Sequence, residues 1–229
     1  MDDTTDQDHL PDGSPRVSAA QFHAAPGVED WRVLFWGAHA CYRTTSFAQA
    51  AAFVAAIAGA AAVVGHDPDV DVRPEGVTVR TCSRVDGALG RPDVDLAVAV
   101  SRAAHVLGLT PDPSALQVVG IAVAQDAGVD TRAFWEAAFG YRRVGDEDLT
   151  DPLRRGPHLW FHEVTPPRPG RGRTHIDVSV PADQAQARVD AAVALGGRIV
   201  SSGGVPHTWT IASPDNHGVD IAGWADTEA

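Results

Sequence analysis

The sequence predicts an α+β protein of two successive domains. The first is an antiparallel four-stranded sheet with helices on one face. The second is a pair of tandem βαβββ units forming a cupped sheet. Three observations predict this. Helix-period and alternating stretches follow one another as α-β-β-α-β-β-α through the first half. The Pro-rich stretch Thr110-Pro111-Asp112-Pro113-Ser114 then breaks the pattern. After it, a strand, a helix and further strands occur twice over. The expected division is a mobile acidic tail at 1–17, a first domain at 18–110, a linker at 111–114 and a second domain at 115–225.

Each element has a local reason. Ser18 caps a short helix running through Phe22. Asp30–Leu34 and Ala40–Thr45 alternate as an antiparallel pair with Gly37 at the bend. Ser46 caps an Ala-rich helix that Gly65 ends. Val70–Val72 and Val77–Cys82 pair across the turn Pro74-Glu75-Gly76. Pro92 opens a helix whose stripe is Leu96, Val100, Ala104 and Leu107, and Gly108 closes it. In the second half, Gln117–Val123 is a strand, Thr131–Phe139 a helix, and Tyr141–Val144 and Leu159–Val164 further strands, with a loop at Pro166–Gly172. The repeat is Thr174–Val180, the helix Asp183–Leu195, then strands at Arg198–Ser201, His207–Ser213 and Val219–Ala222.

Composition narrows the function. Hydrophobic residues make up 44% of 229, enough for packed cores. The net charge of −12 repels phosphate backbones and anionic membrane surfaces, so neither nucleic acid nor membrane is an expected partner. Two cysteines, Cys41 and Cys82, make no disulfide framework or zinc motif and read as reduced thiols. The start is acidic, with Asp2, Asp3, Asp6 and Asp8 and no basic or apolar run, so no secretory signal is expected and the location reads as cytoplasmic. Phe47–Val64 is apolar enough to suggest a membrane span. Phe53, Ile57, Ala61 and Val64 recur at helical spacing, however, and predict a stripe pressed on a core.

The polar corner Gly65-His66-Asp67-Pro68-Asp69, between a helix end and a strand, is the first candidate site. With Gln21-Phe22-His23, Asp30-Trp31-Arg32-Val33 and Ser46-Phe47-Ala48, it resembles the pterin-4a-carbinolamine dehydratases over roughly 18–110. That resemblance implies loss of water from a 4a-hydroxytetrahydropterin, with no cofactor required. The step needs an acid for the departing hydroxyl and a base for the ring N–H, and histidine suits both. Carried over by position, the family's first His is His66 and its Pro is Pro68. Its second and third histidines are replaced by Asp67 and Arg84. An aromatic is replaced by Pro74, and the helix-opening Asp is kept as Asp93. The resemblance thus names His66, Asp67, Arg84 and Asp93 as catalytic candidates, with Pro68 and Asp69 beside the substrate. Arg84 cannot serve as a base at neutral pH. Read without the resemblance, His66 simply serves the last carbonyls of the preceding helix.

The second half, roughly 115–225, resembles the glyoxalase-like branch of the vicinal-oxygen-chelate superfamily. The resembling stretches are Ala133–Tyr141, Thr174–Val178 and Ser213–Gly218. Members hold a divalent metal on the inner face of the cupped sheet. Alternation puts His175 and Asp177 on one face of their strand, and Asp220 opposite Val219 and Ile221. His175 and Asp220 stand at ligand-like positions, with His162 or Glu163 as a third. The first strand offers Val118 where metal-binding members carry a ligand, so a metal-free cavity is the expected state. Trp160, Trp209 and Trp224 read as core and rim, Asn216-His217-Gly218 as a hairpin turn, and Arg168, Arg171 and Arg173 as a solvated basic loop.

Three functions follow as expectations: a hydro-lyase acting on a reduced pterin at His66, a small-molecule-binding protein without turnover, and a metal-dependent lyase or dioxygenase at His175 and Asp220. An open sheet edge in the first half also predicts a homodimer.

Overall fold

The computed structural model describes residues 9–10, 13, 15–128, 130–145, 148–164, 174–212 and 218–223. The side chains of Asp126, Phe134, Ala137, Ala138, Val164, Thr174 and His175 lie outside that description. So do residues 1–8, the basic loop, Asn216, His217 and Trp224. The chain is mixed α+β and divides into two compact units, one ending at Leu116 and one spanning Gln117–Gly223.

In the first unit the elements are α1 (Ala19–Ala24), β1 (Arg32–Leu34), β2 (Gly37–Arg43), α2 (Phe47–Val64), β3 (Asp69–Arg73), β4 (Gly76–Thr81), α3 (Arg91–Val106) and β5 (Thr110–Pro111). The sheet is antiparallel in the order β1-β2-β4-β3. Alternation divides its faces. Ala38, Ala40, Tyr42, Val77 and Val79 point to a core that also takes Phe22, Trp31, Phe53, Ile57, Leu96 and Val100. Each such large side chain contributes about 1.5–3 kcal/mol by leaving water. Phe22 and Trp31, quoted above as family-like, are therefore core residues. Gly37 is required at the β1–β2 turn: its φ is +114°, and a Cβ there would meet the Thr81 carbonyl at 2.3 Å.

Helix α2 is long and apolar enough to cross a membrane by length and composition. Its buried residues are the single stripe Ala50, Phe53, Ile57 and Ala61, and Val63 and Phe47 on other faces are exposed. The expected stripe is present, while the rest of the helix surface is largely alanine in solvent.

Two boundary expectations change. Pro15–Val17 is held against the first unit: Arg16 pairs with Asp86 at 2.7 Å and the Val17 N–H donates to the Leu89 carbonyl at 2.8 Å. Thr110–Pro111 pairs with Arg43 and Tyr42 of β2, and Pro113–Ala115 makes a 3₁₀ turn, so much of the Pro-rich stretch belongs to the first unit's sheet. Both segments lack periodicity, and their partners are distant in sequence.

In the second unit the elements are β6 (Val118–Asp126), α4 (Arg132–Phe139), β7 (Arg142–Val144), β8 (Asp148–Thr150), β9 (His158–Val164), β10 (Thr174–Val180), α5 (Ala182–Ala194), β11 (Arg198–Gly204), β12 (Thr208–Ala212) and β13 (Gly218–Gly223). This is βαβββ twice. The eight strands form one sheet, β11-β12-β13-β10-β6-β9-β8-β7. β6 runs parallel to β9 and β10 parallel to β13, while β6 and β10 meet antiparallel at the centre. Strand β8 was not foreseen, because three residues between turns carry too little alternation to read.

Candidate functional site

Gly65 closes α2 with φ +76°, and the N–H groups of Gly65 and His66 both donate to the Ala61 carbonyl, at 2.8 and 3.2 Å. The backbone of His66 thus serves the helix end, and its side chain does not. The imidazole reaches the first turn of α3, where Nε2 donates to Asp93 Oδ1 at 2.8 Å. Asp93 is 1% exposed. It sits at the third helical position, and its Oδ2 accepts the Gly90 N–H at 2.8 Å. This is half of a capping box, since Gly90 has no side chain to return the bond. The N-terminal end of the α3 dipole also favours negative charge there.

Oδ1 accepts a second bond, from the Thr81 hydroxyl at 2.5 Å. The Gly90 N–H and the Thr81 hydroxyl both donate to this carboxylate, so Asp93 acts as acceptor toward the ring as well. Nε2 of His66 therefore carries the ring proton, and Nδ1 is the basic nitrogen. The His66 side chain is 22% exposed, the Asp93 side chain 2%. A partly open imidazole is thus held from behind by a buried carboxylate.

The other candidates stand as follows. Arg84 Nη2 donates to the backbone carbonyl of Asp67 at 3.2 Å, which brings these two exposed residues to the same corner. Pro68 is half-buried next to them. The Asp69 carboxylate accepts from Arg80 Nη2 at 2.5 Å. Arg80 also stands opposite His39 on β2, in a cross-strand row on the sheet face away from the helices. Burial, and then the nearby Arg80 charge, push the His39 pKa down to about 3. Thr81 and Gly90 were missed from the sequence. The available signal was a hydroxyl ending the core-facing row Val77, Val79, Thr81, since a buried hydroxyl needs a partner.

The second unit presents a polar sheet face. Leu159 and Phe161 pack into a core with Val123 and Leu149. His158, Trp160 and His162 alternate with them and take the opposite face. Gly120 and Ala122 of β6 lie beside His158 and Trp160 in register. They are small enough for the large neighbours to lean across: a Cβ at Gly120 would lie 2.6 Å from the His158 ring. Asp177 of β10 is in register with both Gly120 and Asp220, and the Trp160 Nε1–H donates to its carboxylate. The Trp160 and His162 ring centroids are 5.1 Å apart. Burial pushes the His158 pKa down to about 4. Trp209 is core, as expected, but Trp160 belongs to the polar face.

Glu163 is exposed on the other side of β9, where its carboxylate accepts the Gly128 N–H at 3.3 Å. Of the two third-ligand candidates, His162 therefore shares a face with Asp177 and Asp220, and Glu163 does not. Among the described residues, no three His, Cys, Asp or Glu side chains come together as a metal site. The side chain of His175, the other residue at a ligand-like position, lies outside the described residues.

The family model for pterin 4 alpha carbinolamine dehydratase matches residues 15–103, and the model for a glyoxalase-like domain matches residues 120–222. A glyoxalase/bleomycin resistance protein/dioxygenase superfamily member from Vibrio splendidus 12B01 aligns at 13% identity and a TM-score of 0.33, covering 48% of this chain and 100% of that one. A protein from Bacillus halodurans, provisionally described as a glyoxalase, aligns at 15% identity and a TM-score of 0.21, covering 45% and 92%. No curated protein matches the chain. The chain thus joins a domain of the pterin 4 alpha carbinolamine dehydratase family, residues 15–103, to a glyoxalase-like domain, residues 120–222.

Proposed function

We propose that the first unit is a hydro-lyase that removes water from a pterin 4a-carbinolamine at the His66 corner, and that it works in the cytoplasm. The observation that supports this is the 2.8 Å bond between a partly open imidazole and a buried carboxylate. In the proposed reaction the C4a–O bond breaks, the departing hydroxyl takes a proton, and the ring N–H gives one up. His66 delivers the first proton from Nδ1 when the ring is doubly protonated, while Asp93 fixes its orientation from the Nε2 side. Asp67, exposed beside it, is the candidate base for the ring N–H. Arg84 holds the Asp67 main chain and closes the corner, and Pro68 lines it. Asp69, bound to Arg80, shapes the rim in this reading.

The test is a titration of the whole protein with a stable dihydropterin, followed by NMR of the histidine rings. Saturable movement of the His66 resonances is expected. Unmoved His66 signals at millimolar pterin would remove the proposal.

A further inference from the structure

Asp93 Oδ1 is shared. It accepts from His66 Nε2 at 2.8 Å and from the Thr81 hydroxyl at 2.5 Å, while Oδ2 is fixed by the Gly90 N–H. Thr81 and Asp93 are each 1% exposed, so water does not compete for these positions. Thr81 ends β4 on the core-facing side, where the preceding positions of that row, Val77 and Val79, are wholly apolar and fully buried. A valine would fill this site at nearly the same volume without a donor. The chain therefore places a hydroxyl in an apolar row, and its bond goes to the carboxylate oxygen that holds the histidine.

We propose that Thr81 is a positioning residue for His66, acting through Asp93. Its hydroxyl does two things. It stops the carboxylate rotating about its Cβ–Cγ bond, so that the remaining direction on Oδ1 faces Nε2. It also takes up part of the oxygen's negative charge, which moderates the pull on the Nε2 proton. Two donors on one oxygen each receive a weaker bond than one donor alone. Without the hydroxyl, the His66 bond would shorten, and the proton would be held more tightly between Nε2 and Oδ1. A serine keeps the donor and should preserve the arrangement.

The catalytic consequence rests on the dehydratase reading, but the hydrogen-bond consequence does not. The experiment uses the full chain, free of pterin, labelled with 15N at histidine. In the natural protein and in Thr81→Ser, the expected result is a protected His66 Nε2–H proton and an Nδ1 with a free lone pair. In Thr81→Val the Nε2–H resonance should move downfield, and pterin turnover should fall about tenfold with little change in KM. Thr81→Ala, which leaves only a small void, is the second donor-less variant if the valine protein does not fold; it should move the resonance the same way. An Nε2–H signal that is missing in the natural protein, or identical in the serine and donor-less variants, would overturn the proposal. A natural protein without dehydratase turnover, but with the downfield shift in Thr81→Val, would sink the functional reading and leave this inference standing.

Discussion

Asp93 has three donors and no competing water, which is why a single atom change there should be felt twice. In Asp93→Asn the amide nitrogen must face one of the donors from Thr81, Gly90 or His66. A lost bond to a buried charged group costs about 1.5–3 kcal/mol, and denaturant unfolding should show a loss of that size. Turnover should fall by roughly 10²-fold or more, because His66 loses its fixed orientation. His158 offers a separate test in the second unit. Its pKa is about 4 in the folded state against an ordinary value near 6.5, so the unfolded chain binds more protons between those values. Stability is therefore full above about pH 6.5 and declines as pH falls toward 4, by roughly 3 kcal/mol from this group alone. Unfolding curves at pH 7.5 and 4.5 should differ in that direction, and a His158→Gln protein should show a smaller difference.

At the scale of elements, the site depends on two helix ends. The end of α2 turns the chain through Gly65, and the start of α3 presents Asp93. Gly65→Ala meets no atom but must adopt φ +76°, so about 1 kcal/mol of stability should be lost, read as a lower thermal midpoint. A Cβ at Gly120 faces a different obstacle, the His158 ring at 2.6 Å, and Gly120→Ala should cost about 1–3 kcal/mol. The order of elements was readable because each long one has a period and a cap: Ser46 and Gly65 bracket α2, and Val77, Val79 and Thr81 alternate. The family resemblance named His66 and Asp93 as members of one site, but the bond between them was not legible, since 27 residues separate them. The role of Thr81 was hidden because a threonine in a strand needs no special reason. β5 and β8 were hidden because strands of two or three residues have no period to detect.

At the scale of the molecule, the chain presents two units with different kinds of polar surface. The first gathers His66, Thr81 and Asp93 at one corner, with Arg84 beside Asp67, and the second spreads His158, Trp160, His162, Asp177 and Asp220 over a sheet face. β3 is left at an edge of the first sheet, and a second copy pairing there is the expected partner. Light scattering should give twice the chain mass, and a monomer mass would exclude that pairing. The most direct measurement of the central proposal is the dehydration rate of a freshly generated 4a-hydroxytetrahydropterin, followed by absorbance with and without the protein. The natural chain should exceed the buffer rate at least about 10²-fold and His66→Ala should return to near that background. A natural chain no faster than buffer, or an unchanged His66→Ala protein, would contradict it.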